Sequence, residues 1–266
     1  MTAVPAASIF SDAVESLTLP SCTLTTWLRH LAPPCGSAKP VRKGPGRHGK
    51  MGRMIDSPTV IWSRLADQRA GTPLLVMFHG YGADEEDLFG LSAQLPAEFT
   101  VASVRATQQA GPGYAWFPLS NDLSYTLDGV TEAAAEVEQW LDSVRQEHSS
   151  VTLLGFSQGM CMATSLLRHR PADYAAVVGL SGFVVEADGN PWFDDAATAA
   201  ARPEIFWGRD QADPVIPQTS VEYTNTWLRA HTKLTKVLYT GIWHGINAQE
   251  MAHVGEFLQL KVLNAG

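Results

Sequence analysis

The chain has 266 residues, 45% of them hydrophobic, enough to bury one large α/β core as a single domain. Acids outnumber bases 27 to 19, and unevenly: residues 1–53 hold seven Lys and Arg against two acids, leaving twelve bases and 25 acids in the body. A strongly acidic body is a poor match to a phosphate backbone, which argues against a nucleic-acid partner.

Residues 1–53 differ in kind from the rest, with Pro, Gly, Ser and basic residues clustered over 33–53 and no sustained apolar period. Such a stretch buries too little surface to offset its ordering entropy, so a disordered extension is expected there, with a weak helix at most over 13–31. Met51 and Met54 lie where the folded pattern begins and are candidate natural starts, ahead of one domain over 54–266. The N-terminus lacks a basic region followed by a continuous apolar stretch, so no secretory signal is expected. No run of about 18 apolar residues suggests a membrane span.

From Met54 onward short apolar runs alternate with amphipathic ones, the rhythm of parallel strands joined by crossover helices. Strands are predicted over 74–79, 99–104, 151–156, 175–180, 204–207 and 235–239, each short, β-branched and bounded by Gly or Pro. Helices are predicted over 129–147, 158–169, 218–231 and 247–262. A doubly wound, mostly parallel sheet with helices on both faces follows, and its ligands belong beyond the carboxyl ends of the strands.

The most informative segment is Gly155-Phe156-Ser157-Gln158-Gly159, a Gly-x-Ser-x-Gly between an apolar strand and a helix. That is the context of a nucleophile elbow, in which a strained turn lifts the serine hydroxyl above the sheet. A tight turn with a capping serine is the bland alternative. A serine nucleophile needs a base, and His244 alone among eight histidines follows an apolar strand directly, with Gly241 and Gly245 around it. The other histidines fall in the extension, within the loop after the first strong strand, or in and at the ends of helices.

A carboxylate completing the set should follow the penultimate strand. Asp210 and Asp213 compete. Asp213 precedes Pro-Val-Ile-Pro, which fixes it in an extended backbone, and is preferred; Asp210 is expected to face solvent or cap the turn. Oxyanion donors are expected from the main-chain N–H of Gln158, after the nucleophile, and of Tyr81, in the glycine-rich loop Gly80-Tyr81-Gly82. In the same loop His79 should brace the backbone and Asp84 should open a helix.

Together Gly-Phe-Ser-Gln-Gly at 155–159, His-Gly-Tyr-Gly-Ala-Asp at 79–84, Trp116-Phe117, Asp213-Pro-Val-Ile-Pro and Gly-x-x-His at 241–244 resemble the phospholipase/carboxylesterase family, over about 60–263. The resemblance implies an α/β-hydrolase fold and hydrolysis of small carboxylic esters or thioesters without metal or cofactor. It also implies that Trp116 and Phe117 line an acyl pocket; plain core filling is the alternative. Pro118 and Leu119 after that pair, and a long loop from Gly208 to Asp213, depart from the family pattern at the pocket mouth.

Three cysteines, Cys22, Cys35 and Cys161, have neither CxxC nor metal-ligand spacing, and an odd number leaves one unpaired, which fits a reducing cytoplasm. Residues 183–202, with Trp192 and Phe193, are either a cover over the site or an ordinary crossover carrying a short helix. A soluble esterase acting through an acyl-enzyme is the leading expectation. Lysophospholipid or acyl-protein thioester hydrolysis, or a non-catalytic binding module on the same fold, are the others, and a homodimer is left open.

Overall fold

The computed structural model describes residues 58–120 and 123–264. The extension expected over 1–53, its weak helix, the candidate starts Met51 and Met54, and Cys22 and Cys35 lie outside them. In chain order the strands are β1 (Val60–Trp62), β2 (Leu74–Phe78), β3 (Thr100–Val104), β4 (Gln108–Ala110), β5 (Gly113–Ala115), β6 (Val151–Phe156), β7 (Ala176–Leu180), β8 (Glu204–Asp210) and β9 (Lys233–Tyr239). The α-helices are α1 (Glu85–Phe89), α2 (Leu127–Val144), α3 (Gln158–His169), α4 (Asp195–Ala201), α5 (Gln218–His231) and α6 (Ala248–Leu258).

Seven strands form one sheet in the order β1-β3-β2-β6-β7-β8-β9. Only β1 runs antiparallel to its neighbour. Strands covered on both faces must be apolar along their length, and β2, β3, β6 and β7 are buried at every residue. Alternation sorts their side chains into two cores: Leu74, Val76 and Phe78 pack with residues of α2 and α3, while Leu75 and Met77 pack with Leu88 of α1 and Met251 and Val254 of α6. Helices therefore cover both faces, as the sequence pattern predicts.

Within the sheet β2 is the pivot. The chain goes from β2 to β3 on one side and later returns to β6 on the other, so the connections leaving β2 and β6 turn to opposite faces of the sheet, into α1 and α3. Two differences from the sequence reading matter for the site. Strand β8 runs three residues past Trp207, because Gly208, Arg209 and Asp210 stay paired with Val237, Leu238 and Tyr239. A hairpin, β4 with β5, forms from a segment whose Gln108 and Gln109 are exposed and which has no apolar period.

Candidate active site

Ser157 sits between the last residue of β6 and the first of α3 with no linker, at φ 53° and ψ −117°. A non-glycine residue in that region is strained, and the surroundings enforce it. The flanking glycines explain how: a Cβ on Gly155 would lie 2.1 Å from the Gly159 carbonyl oxygen, and one on Gly159 would lie 1.9 Å from the Phe78 carbonyl oxygen. Strand, turn and helix thus pass too close for any side chain, and the Ser157 N–H is fixed by donation to Leu180 O at 2.9 Å.

Above the serine stands His244. Its Nε2 lies 3.0 Å from Ser157 Oγ, and its Nδ1 lies 2.9 Å from Asp213 Oδ2. An ionised carboxylate only accepts, so Nδ1 carries the proton and donates to Asp213, leaving Nε2 free to accept from the serine hydroxyl. The Asp213 side chain is fully buried and that of His244 is 8% exposed. Asp213 is oriented by its own turn, since its Oδ1 accepts from the N–H of Val215 at 2.8 Å and of Ile216 at 3.3 Å. The loop that carries His244 is tied to the end of β7, next to Ser157, by Ser181 Oγ, which donates to Gly245 O at 3.1 Å.

Of the two places expected for Asp210, facing solvent or capping the turn, the structure shows the second: its side chain accepts from the N–H of Ala212, two residues on. Asp210 is 1% exposed at the end of β8, and its carboxylate accepts from three main-chain N–H groups: Ala212 at 2.8 Å, and Ile242 and Trp243 at 2.7 Å each. Burial alone would push its pKa up, but these donors outweigh burial and hold the carboxyl below its ordinary value.

The glycine-rich loop after β2 lies against the elbow, with the Cβ that Gly80 lacks placed 3.6 Å from Ser157 Cβ. Its turn is closed by the Ala83 N–H donating to Gly80 O at 3.3 Å, and is clamped to β5 by Gly82 N–H to Tyr114 O and Tyr114 N–H to Ala83 O, both 2.8 Å. That clamp needs Gly113, where a Cβ would lie 2.0 Å from Gly82 O. His79 braces the loop from below: its Nδ1 donates to Gly80 O at 2.7 Å and its Nε2 accepts from the Ala106 N–H at 3.1 Å. Burial lowers its pKa and keeps the ring neutral, as the accepting Nε2 requires. Asp84 caps α1 by accepting from the Glu86 N–H, and the buried Glu85 pairs bidentately with Arg105 at 2.5 Å.

Among the described residues the Tyr81 N–H has no acceptor, and the Gln158 N–H, at the start of a helix, has none within it. The Gln158 side chain is engaged elsewhere: Oε1 accepts from the Trp116 N–H at 3.0 Å, and Nε2 donates to Phe117 O at 2.7 Å. Trp116 Nε1 in turn donates to His79 O at 2.9 Å. Trp116 and Phe117 are core residues, at 2% and 0% exposure, and Phe117 packs against Tyr125.

The 183–202 segment is a crossover with the short helix α4 at its far end. Trp192 packs on His169, at the end of α3 opposite Ser157, with ring centroids 4.0 Å apart; twelve steps of about 1.5 Å put that contact roughly 18 Å away from the serine. Arg168, fully buried, anchors α4 through a bidentate pair with Asp195. Cys161 is a free thiol within α3, and burial pushes its pKa well above the usual thiol range. Among the described residues no group of three or more His, Cys, Asp or Glu is placed to hold a metal ion, and no helix is long and apolar enough to cross a membrane.

A mostly parallel sheet sandwiched by helices, with a serine elbow at its carboxyl edge, defines the α/β-hydrolase fold. Residues 65–262 match the model of the phospholipase/carboxylesterase family, and the chain belongs to that family. Similar solved structures include a carboxylesterase from Bacillus cereus, with a TM-score of 0.67 and 19% identity over 77% of this chain and 95% of that one. A carboxylesterase from Mesorhizobium loti has a TM-score of 0.61 and 20% identity, covering 70% and 88%. A phospholipase/carboxylesterase from Dyadobacter fermentans has a TM-score of 0.59 and 20% identity, covering 75% and 95%. At such identities the likeness concerns the fold. No curated protein matches the chain.

Proposed function

We propose that the protein is a serine carboxylesterase that cleaves short or medium acyl esters or thioesters through an acyl-enzyme on Ser157. The observation that carries the reading is the unbroken line from Asp213 to His244 to Ser157, with contacts of 2.9 and 3.0 Å. His244 takes the hydroxyl proton on Nε2 as Oγ bonds to the substrate carbonyl carbon. Asp213 holds the imidazole in the required tautomer and stabilises its charged form without taking the proton. The carbonyl oxygen, now negative, accepts from the N–H groups of Tyr81 and Gln158, a pair worth about 10²- to 10³-fold in rate per donor. Collapse expels the alcohol or thiol, which leaves with the proton from Nε2. Water then repeats the two steps in reverse roles, freeing the acid and restoring the serine.

None of these steps draws on a metal or cofactor, and the substrate is a small molecule. The acyl chain is assigned to the apolar wall at Trp116 and Phe117, whose backbone the Gln158 side chain ties to the residue after Ser157. Activity in the cytoplasm belongs to the same proposal.

The test is a chain-length series of p-nitrophenyl esters, with one long-chain acyl thioester, on the wild type and Ser157→Ala. The reading expects cleavage weighted to short and medium chains and its loss in the variant. Preference for the long thioester would move the assignment to acyl-protein or lysophospholipid hydrolysis. Full activity in Ser157→Ala, or none in the wild type, would sink it, the latter in favour of a binding module.

A further inference from the structure

The loop that carries His244 is short of packing. Trp243, the residue just before it, holds a left-handed backbone at φ 55° while its indole is 60% exposed, so side-chain burial does little to offset the strain. Some other group must keep the backbone there. The two N–H groups ahead of the histidine, Ile242 and Trp243, both point at one oxygen of Asp210, 2.7 Å away. Its second oxygen takes the N–H of Ala212, the residue immediately before Asp213, at 2.8 Å.

We infer that Asp210 is the positioning residue for the proposed catalytic pair, a carboxylate that staples the acid-bearing turn to the base-bearing loop and so sets the Asp213 to His244 contact. The inference rests on the function proposed above. Its basis is the division of labour between the two oxygens: one reaches the turn of Asp213, the other the loop of His244, and Asp210 itself is the rigid end of β8, paired with Tyr239. Ionised, the carboxylate offers only acceptors to three donors. An amide cannot do this, because its NH₂ must face at least one N–H. Asp210 touches neither Ser157 nor the space where an ester would sit, so its effect runs through the imidazole.

The test compares wild type, Asp210→Asn, Asp210→Glu and Ser157→Ala in steady-state ester hydrolysis, with the low-field proton resonance of the His244 Nδ1–H followed by NMR. A displacement of about 1 Å at a reacting group is worth on the order of 10²-fold. Asp210→Asn is therefore expected to lose about 10- to 100-fold in kcat with KM changed less than about twofold, and to lose or broaden the Nδ1–H resonance while the protein stays folded. Asp210→Glu keeps the charge and all acceptor sites and is expected to recover part of the loss.

Wild-type kcat and an unchanged resonance in Asp210→Asn, with Ser157→Ala inactive, would overturn the inference and leave the proposed function standing. Activity retained in Ser157→Ala would overturn the proposed function instead. If Asp210→Asn fails to fold, Asp210→Ser decides instead, since one hydroxyl cannot accept from both the Ala212 turn and the His244 loop: a kcat loss with an altered resonance supports the staple, and wild-type values for both refute it.

Discussion

Glu250 is the residue to neutralise first. It occupies the third position of α6, after the N-cap Asn247, yet its side chain turns inward and is fully buried against β8. Neither carboxyl oxygen has a hydrogen-bond partner among the described residues, and a Cβ on Gly208 would lie 2.1 Å from Oε1. Burial raises its pKa from 4.5 to about 8. The folded chain therefore keeps a proton that the unfolded chain releases, so this group's contribution is full below pH 4.5 and is lost progressively as pH rises towards about 8. Each pH unit in that window removes about 1.4 kcal/mol, so moving from about pH 5.5 to about pH 7.5 removes about 2.7 kcal/mol. At about 2–4 °C per kcal/mol for a domain of this size, that is a fall in Tm of about 5–11 °C from Glu250 alone. Glu250→Gln keeps the shape and removes the titration, and Tyr239, whose pKa Glu250 helps to raise, titrates far above this window in both proteins. Thermal unfolding of the pair at the two pH values, at constant ionic strength, should show the wild type losing about 5–11 °C more than the variant. Parallel Tm–pH curves would mean instead that Glu250 finds a partner or water in solution and carries no such shift.

At the elbow, Gly159→Ala forces a methyl into the Phe78 carbonyl; a loss of about 3 kcal/mol or more is expected by urea denaturation, and a near-neutral effect would show that strand and helix can part there. Gly113→Ala pushes on Gly82 O and so on the loop of Tyr81: kcat for an ester should fall by up to about 10²-fold with the fold intact by circular dichroism, and an unchanged kcat would free that loop from β5. Asp213→Asn inverts the hydrogen bond to Nδ1, favours the wrong tautomer and should lower kcat by about 10⁴-fold with little change in KM. Asp195→Ala leaves the guanidinium of Arg168 buried without its bidentate partner and should destabilise by about 3–5 kcal/mol in denaturant titration, with hydrolysis per folded molecule unchanged.

What the sequence makes legible is what local chemistry dictates. The elbow is readable because close passage of strand, turn and helix permits only glycine at 155 and 159, so geometry writes itself into five consecutive residues. The bounds of α3 and α5 coincide with the predicted 158–169 and 218–231, since each follows directly on a punctuated turn. Asp210 was less readable: its two partners in the His244 loop lie 32 and 33 residues away, and a polar strand end looks like a surface turn when the pairing with β9 is not visible. The β4–β5 hairpin escaped for a similar reason, for its three-residue strands are held by main-chain bonds that leave no apolar period. The burial of Glu250 leaves no mark in the sequence, because only the packing of α6 turns the carboxyl inward against Gly208 of β8.

Activation of the Ser157 hydroxyl by His244 is open to covalent labelling. The native enzyme is treated with a fluorophosphonate and the adduct located by peptide mass spectrometry, alongside His244→Gln under the same conditions. One adduct is expected, on Ser157, with its near-complete loss in the histidine variant. An adduct on another residue, or equal labelling of Ser157 without the imidazole, would contradict it.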